Sequence, residues 1–193
     1  MHVIAGSARG VPLRVPAGTC VRPTSGRVRT SLFSILGESV AGARVADLFA
    51  GSGALGIEAL SRGAAHCTFV ENARPALAAL RANLAKTRLA ERAEVLACDA
   101  FAALPQLEAR GPFSIVFVDP PYRLVANTGP FAALLEGLAS SPALAPNALI
   151  VVQHDTPTPL PQAIGRLAIA DQRVYGSTTL TFLRAADCLP AAF

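Results

Sequence analysis

The chain has 193 residues, of which 52% are apolar and only 16% charged, with a formal net charge of +4. That size suits one well-buried domain with at most a small appendage, and the composition suits a parallel sheet covered on both faces. No segment approaches the roughly 20 uncharged apolar residues of a membrane span, and the start Met1-His2-Val3-Ile4 lacks a signal-peptide core, so a soluble, cytoplasmic protein is expected.

In chain order, residues 2–22 carry short apolar pieces broken by Gly6, Gly10, Pro12, Pro16 and Gly18, a pattern that predicts a small β-hairpin. Pro23-Thr24-Ser25 offers a helix entry, after which Val28, Leu32, Phe33, Ile35 and Leu36 recur at helical spacing. Residues 1–44 hold six arginines against one acid, Glu38, whereas the remainder holds eleven basic and twelve acidic residues. The positive excess therefore lies in the N-terminal arm, as expected of a polyanion binder. Arg27 and Arg29 sit at the start of the helix, against its dipole, which suggests that they serve something outside it.

From residue 44 strands and helices alternate. Strands are predicted at 44–48, 66–70, 93–97, 113–118 and 149–153, with helices at 54–62, 74–86, 100–104 and near 130–138. The three prolines of 156–161 predict an irregular connection, and 168–174 with 178–184 around Tyr175-Gly176-Ser177 read as a closing hairpin. His154 reads as a strand-end polar residue. The fold class that follows is α/β: a doubly wound, mostly parallel, seven-stranded Rossmann-like sheet with a small N-terminal β-hairpin and helix extension. Cys20, Cys67, Cys98 and Cys188 are scattered, without a C-x-x-C pair or a histidine at ligand spacing, so neither a disulfide framework nor a metal site is expected.

Four carboxylates end successive strands: Asp47, Glu71, Asp99 and Asp119. In open α/β sheets that edge is where ligands bind. Between the first strand and its helix lies Phe49-Ala50-Gly51-Ser52-Gly53-Ala54-Leu55-Gly56, a G-x-G-x-x-G pattern that permits a tight turn and close backbone approach. The glycines alone fit a dinucleotide enzyme as well as a methyltransferase. Asp47 would oppose an anionic pyrophosphate but suit a cationic sulfonium ligand with a free amino group. Asp119-Pro120-Pro121-Tyr122 then offers a carboxylate, a carbonyl freed by two prolines and a ring on one stiff loop, a trap for a planar group bearing an amine.

These residues resemble a class I S-adenosylmethionine-dependent methyltransferase, and Asp119-Pro120-Pro121-Tyr122 resembles the signature of enzymes that methylate amino nitrogens of planar substrates. Ile4-Ala5-Gly6, Arg9-Gly10, Arg22-Pro23-Thr24, Arg27-Val28-Arg29, the glycine loop, Glu58 to Ala64 and Arg173-Val174-Tyr175-Gly176 are similar in order and spacing to the bacterial 16S ribosomal RNA guanine-N2 methyltransferase family. Where His2, Gly26 and Thr30 stand, that family usually has an arginine, an acidic residue and a glutamate. The resemblance implies S-adenosylmethionine as cofactor, held by Asp47, Phe49, Ala50, Gly51, Ser52, Gly53, Glu71, Asn72, Asp99 and Ala100. It also implies that Asp119, Pro120, Pro121 and Tyr122 hold the target guanine, and that Arg9, Arg22, Arg27 and Arg29 grip the RNA. On this reading residues 1–40 form the RNA-binding extension and 41–193 the methyltransferase domain. The partner is 16S ribosomal RNA or the small ribosomal subunit, without a membrane or metal, and a monomer is expected. A DNA amino-methyltransferase would share the catalytic loop but normally adds a larger target-recognition region. A dinucleotide oxidoreductase leaves Asp47 and the Pro-Pro-Tyr loop unexplained, and a non-catalytic RNA-binding module leaves the carboxylates unexplained.

Overall fold

A computed structural model of the chain describes residues 1–16, 26–121, 128–158, 160, 161 and 163–185. The expected sites Arg22 and Tyr122, the helix entry at Pro23-Thr24-Ser25, and Cys20 and Cys188 lie outside the described residues. The chain divides into two compact units, Met1–Ala100 and Phe101–Phe193.

In the first unit a helix α1 (Gly26–Leu36) precedes three strands, β1 (Arg44–Leu48), β2 (His66–Glu71) and β3 (Ala93–Ala97). The strands lie in the order β3-β2-β1 and all pair in parallel. Parallel neighbours need crossovers, which α2 (Ala54–Ser61) and α3 (Arg74–Thr87) supply. β1 and β2 are buried over nearly their whole length, which is why they read as apolar runs rather than alternating ones. In α3 the buried residues Ala76, Leu77, Leu80, Asn83, Leu84 and Thr87 keep helical spacing. Pro75 stands in its first turn, where no intrahelical donor is lost.

The N-terminal arm folds onto this unit. Val3 N–H donates to the Val11 carbonyl at 3.0 Å and Gly10 N–H to the Val3 carbonyl at 2.9 Å, and His2 bridges Pro12 in antiparallel fashion. Gly6 and Gly10 both have φ near +81°, the left-handed region that turns the chain. At Gly6 a Cβ atom would lie 1.8 Å from the Ser61 carbonyl oxygen, so only glycine lets the arm approach α2.

The second unit contains α4 (Leu104–Glu108), β4 (Phe113–Val118), α5 (Thr128–Ser140), β5 (Leu144–Asp155), β6 (Ala163–Ile164), β7 (Leu167–Tyr175) and β8 (Thr178–Ala185). β4 pairs with β5 in parallel; β8, β7 and β6 then follow in antiparallel order. The α/β class and the closing hairpin are those expected, with eight strands among the described residues rather than seven. The addition is β6, two residues long, just after the 156–161 segment expected to be irregular. β5 starts five residues earlier than predicted, and a register irregularity between Phe113 and Ile115 accommodates Pro146. Beyond Ala168 the outer side of β7 has no strand against it among the described residues. No helix among the described residues is long and apolar enough to cross a membrane.

His154 lies at the end of β5 as expected, one residue before its last, but is 1% exposed, with ring nitrogens 3.0 Å from the Asp155 carbonyl and 2.9 Å from Thr181 Oγ1. Burial holds its pKa below the usual imidazole value, against the opposing pull of the Asp155 carbonyl. The unfolded chain therefore takes up this proton first. Stability is complete above the unfolded value and declines as pH falls through and below it. Urea unfolding should give a free energy that drops as pH falls from about 7 to about 5, with a shallower slope in His154→Gln. Equal slopes in the two proteins would remove this residue from the acid response.

Candidate active site

The glycine loop follows β1 directly. Phe49 (φ 61°), Gly51 (φ 56°) and Gly53 (φ 80°) all adopt left-handed backbone, so the loop reverses within a few residues. Ala50 N–H donates to the Val70 carbonyl at 3.0 Å and Gly53 N–H to the Ala50 carbonyl at 2.8 Å, tying the turn to β2 and to itself. The three glycines have different reasons. A Cβ at Gly51 would stand in open space, 4.0 Å from its nearest neighbour, the Phe49 carbonyl. At Gly53 it would strike Leu80 Cδ1 at 2.3 Å, and at Gly56 it would strike Phe69 Cε1 at 2.3 Å and Cys67 Sγ at 2.6 Å. Gly51 thus faces outward and allows a ligand to approach the backbone. Gly53 and Gly56 let α2 settle on β2 and α3.

Asp47 is 1% exposed, and its Oδ2 accepts from Gly56 N–H at 2.9 Å. Gly53 caps α2 without a side-chain acceptor, so Asp47 reaches from the strand below to satisfy a donor of the first turn. The amino end of α2 therefore already carries a buried negative charge. Glu71, half-buried at the end of β2, accepts from Gly51 N–H through Oε2 at 2.8 Å. Its Oε1 takes Asn72 N–H at 2.9 Å and Ala73 N–H at 2.8 Å. One carboxylate thus fixes both the glycine loop and the turn into α3, and Oε2 keeps a lone pair for a further donor. Asp99 is exposed just past β3 and Ala100 is buried beside it. Asp47, the loop, Glu71 and Asp99 thus share the carboxyl-end edge of the parallel strands β1, β2 and β3.

In the second unit β4 ends at Val118, and Asp119-Pro120-Pro121 follows as irregular backbone. Asp119 is half-buried and Pro120 buried. With both prolines lacking an N–H, the loop is rich in acceptors and poor in donors. Among the described residues no group of three or more histidine, cysteine, aspartate or glutamate side chains could hold a metal ion. Cys67 is buried in β2, which raises its thiol pKa, and Cys98 is half-buried after β3.

Of the arginines expected on RNA, Arg9 and Arg27 are exposed. Arg29 is a correction: it is 1% exposed and its Nη2 donates inward to the His2 carbonyl at 2.6 Å. It stands three and four residues before Leu32 and Phe33, on the buried face of α1, so it braces the arm from within. Three further buried side chains escaped the sequence reading. Glu58 (0% exposed) accepts from Ile4 N–H at 2.7 Å, Ala5 N–H at 3.0 Å and Arg62 Nε at 2.7 Å. Ser61 Oγ accepts from Ala8 N–H at 2.9 Å and donates to the Ala5 carbonyl at 2.6 Å. Asn83 joins Arg14 to Ser52. The available signal was a polar residue within an apolar helical stripe, which is how Asn83 sits in α3.

Residues 1–184 match the family model described as "Conserved hypothetical protein 95". The chain is 40% identical over 179 residues to "Putative rRNA methyltransferase YlbH" of Bacillus subtilis, covering 92% of this chain and 95% of that protein. It is 39% identical over 176 residues to "Ribosomal RNA small subunit methyltransferase D" of Escherichia coli, covering 91% and 85%. Among solved structures, "Putative methyltransferase yhhF from Escherichia coli" superposes with a TM-score of 0.81 at 36% identity, covering 96% of this chain and 97% of that one.

The steric roles of the glycines are separable by mutation. Gly56→Ala should cost about 1–3 kcal/mol in urea unfolding, because Phe69 and Cys67 are core atoms with nowhere to go. Gly51→Ala should cost only about 1 kcal/mol, the left-handed backbone penalty of a side chain in open space.

Proposed function

The chain belongs to the family described as conserved hypothetical protein 95, and from that premise we propose that it is an S-adenosylmethionine-dependent rRNA methyltransferase whose acceptor is the exocyclic N2 of a guanine in 16S rRNA. The observation that carries the cofactor reading is Asp47. With its carboxylate buried under the first turn of α2, the helix end where a dinucleotide would bring its pyrophosphate is already negatively compensated. A cationic ligand with a free amino group suits that end better than an anionic one.

The residues fit S-adenosylmethionine in parts. Phe49 to Gly53 would hold the methionine portion, Asp47 would offer its charge to the amino group, and the open side of Gly51 would leave room for the ligand. Glu71 offers its remaining Oε2 lone pair to a ribose hydroxyl, next to Asn72. Exposed Asp99, with Ala100 beside it, accepts from the adenine amine. Bound there, the cofactor supplies a methyl group on a sulfonium centre.

The acceptor amine is a poor nucleophile because its lone pair is delocalised into the guanine ring. Asp119 and the Pro120 carbonyl each accept one of its N–H bonds, which favours a tetrahedral nitrogen and frees the lone pair for the methyl carbon. As the new N–C bond formed, the bond from the methyl carbon to the sulfonium sulfur would break, its electron pair leaving with a neutral thioether, and the cationic nitrogen would shed its proton to Asp119. Positioning and electrostatics supply the rate, as expected where donors and acceptors are held before the reaction. Tyr122 offers a surface on which the extruded base restacks, worth ~1–3 kcal/mol. Arg9, Arg22 and Arg27 hold the RNA backbone on the arm, with the small ribosomal subunit or its RNA as partner.

Asp119→Ala should bind S-adenosylmethionine within about twofold of wild type by titration calorimetry, while methyl transfer to 16S rRNA falls by about a hundredfold or more. Near-normal turnover would refute the acceptor role. NAD binding in place of S-adenosylmethionine would refute the cofactor. Mass mapping of rRNA from cells lacking the protein should show one unmethylated guanine, and methylation elsewhere would redirect the substrate assignment.

A further inference from the structure

The amide of Asn83 occupies a position that neither the arm nor the glycine loop explains alone. It sits in the middle of α3, 0% exposed, among the apolar residues Leu80, Leu84 and Leu77 of the same stripe. A bare amide there would be costly, so its partners matter. Oδ1 accepts from Arg14 N–H at 2.8 Å, and Nδ2 donates to the Arg14 carbonyl at 3.0 Å and to the Ser52 carbonyl at 2.9 Å. Both amide protons are used, and the carbonyl oxygen has one partner.

These partners lie 69 and 31 residues away in sequence and belong to different functional parts. Arg14 is an exposed cation of the basic arm whose backbone is gripped on both sides, as by a neighbouring strand. Ser52 stands between Gly51 and Gly53, the two residues whose left-handed backbone shapes the loop. Ser52 has no side-chain bond to the strands on either side among the described residues, whereas its carbonyl is fixed by this one amide. Rotating the Asn83 side chain to release one partner releases the other, because a single planar group serves both.

We propose that Asn83 is a positioning residue that makes the seating of the basic arm and the shape of the glycine loop one event, so that RNA binding and cofactor binding strengthen each other. This rests on the methyltransferase reading above. Cofactor on the loop holds the Ser52 carbonyl in place, which holds the amide, which holds Arg14. RNA on the arm acts in the reverse direction, as linkage requires.

The test uses the full chain with S-adenosylhomocysteine and a 16S rRNA fragment as probes. In wild type, hydrogen–deuterium exchange on adding S-adenosylhomocysteine should slow at the loop amides and also at Arg14, whose N–H is bound by Asn83. Each probe should raise the affinity for the other by severalfold. In Asn83→Asp the donor is replaced by an oxygen facing two carbonyls, and both affinities should fall about tenfold with the mutual enhancement gone. Thr87→Val removes only bonds to the Asn83 and Leu84 carbonyls of the same helix and serves as the control for lost stability. It should keep the enhancement. Loop protection without Arg14 protection in wild type, or an enhancement that survives Asn83→Asp, overturns the linkage. If S-adenosylhomocysteine protects neither region in wild type, the methyltransferase reading itself fails, and the linkage with it.

Discussion

The hydrogen bond from Gly56 to Asp47 connects nearly everything at the strand ends of the first unit. A helix that begins at a glycine cap has donors to satisfy, and here the strand below provides the acceptor. The bond is possible only because Gly53 and Gly56 let α2 lie against Phe69, Cys67 and Leu80 without intervening side chains. Under the proposed function, burial of the carboxylate favours a cationic over an anionic ligand at the loop. A site for an anion would leave those donors open, whereas this one has spent one on a charge of its own. The fold of the loop and the ligand preference proposed for it thus rest on the same contact.

A second consequence concerns the arm. A basic extension could have been a loose tether, but its backbone is held at Ile4, Ala5, Ala8 and Arg14 by three buried side chains of the helices that frame the loop. Arg29 completes the attachment from α1. The exposed arginines therefore project from an ordered base, which under the proposed function would reduce the entropy lost on binding RNA. Arg62, stacked 4.9 Å from the Phe33 ring while paired to Glu58, closes the same seam with a cation.

Much of this was legible in the residues. The apolar runs, the glycine loop and the carboxylates ending successive strands mark the α/β class and its working edge, because parallel strands covered on both faces leave an unmistakable pattern. What could not be read has physical reasons. Glu58, Ser61 and Asn83 act on backbone groups 31 to 69 residues away, and no local spacing encodes such a partner. The helix dipole pointed correctly to a partner for Arg29 outside its helix, the His2 carbonyl, but the RNA role that the resemblance implied fails on its phase relative to Leu32, Phe33 and Leu36. β6 is too short to show a period, and Pro146 concealed the true start of β5.

The outer flank of β7 has a meaning of its own. From Ile169 to Tyr175 a strand runs with backbone groups that no described strand pairs, the geometry that invites a second molecule to add itself. Val174, 59% exposed, would make such an addition sticky. Against it stand a local irregularity between Ile169 and Asp171 and an ion pair of Asp171 with Arg173 at 2.9 Å, directly on the flank. The weak energy of that pair is beside the point. A charged, irregular strand of this kind opposes the addition of a further strand at an open edge.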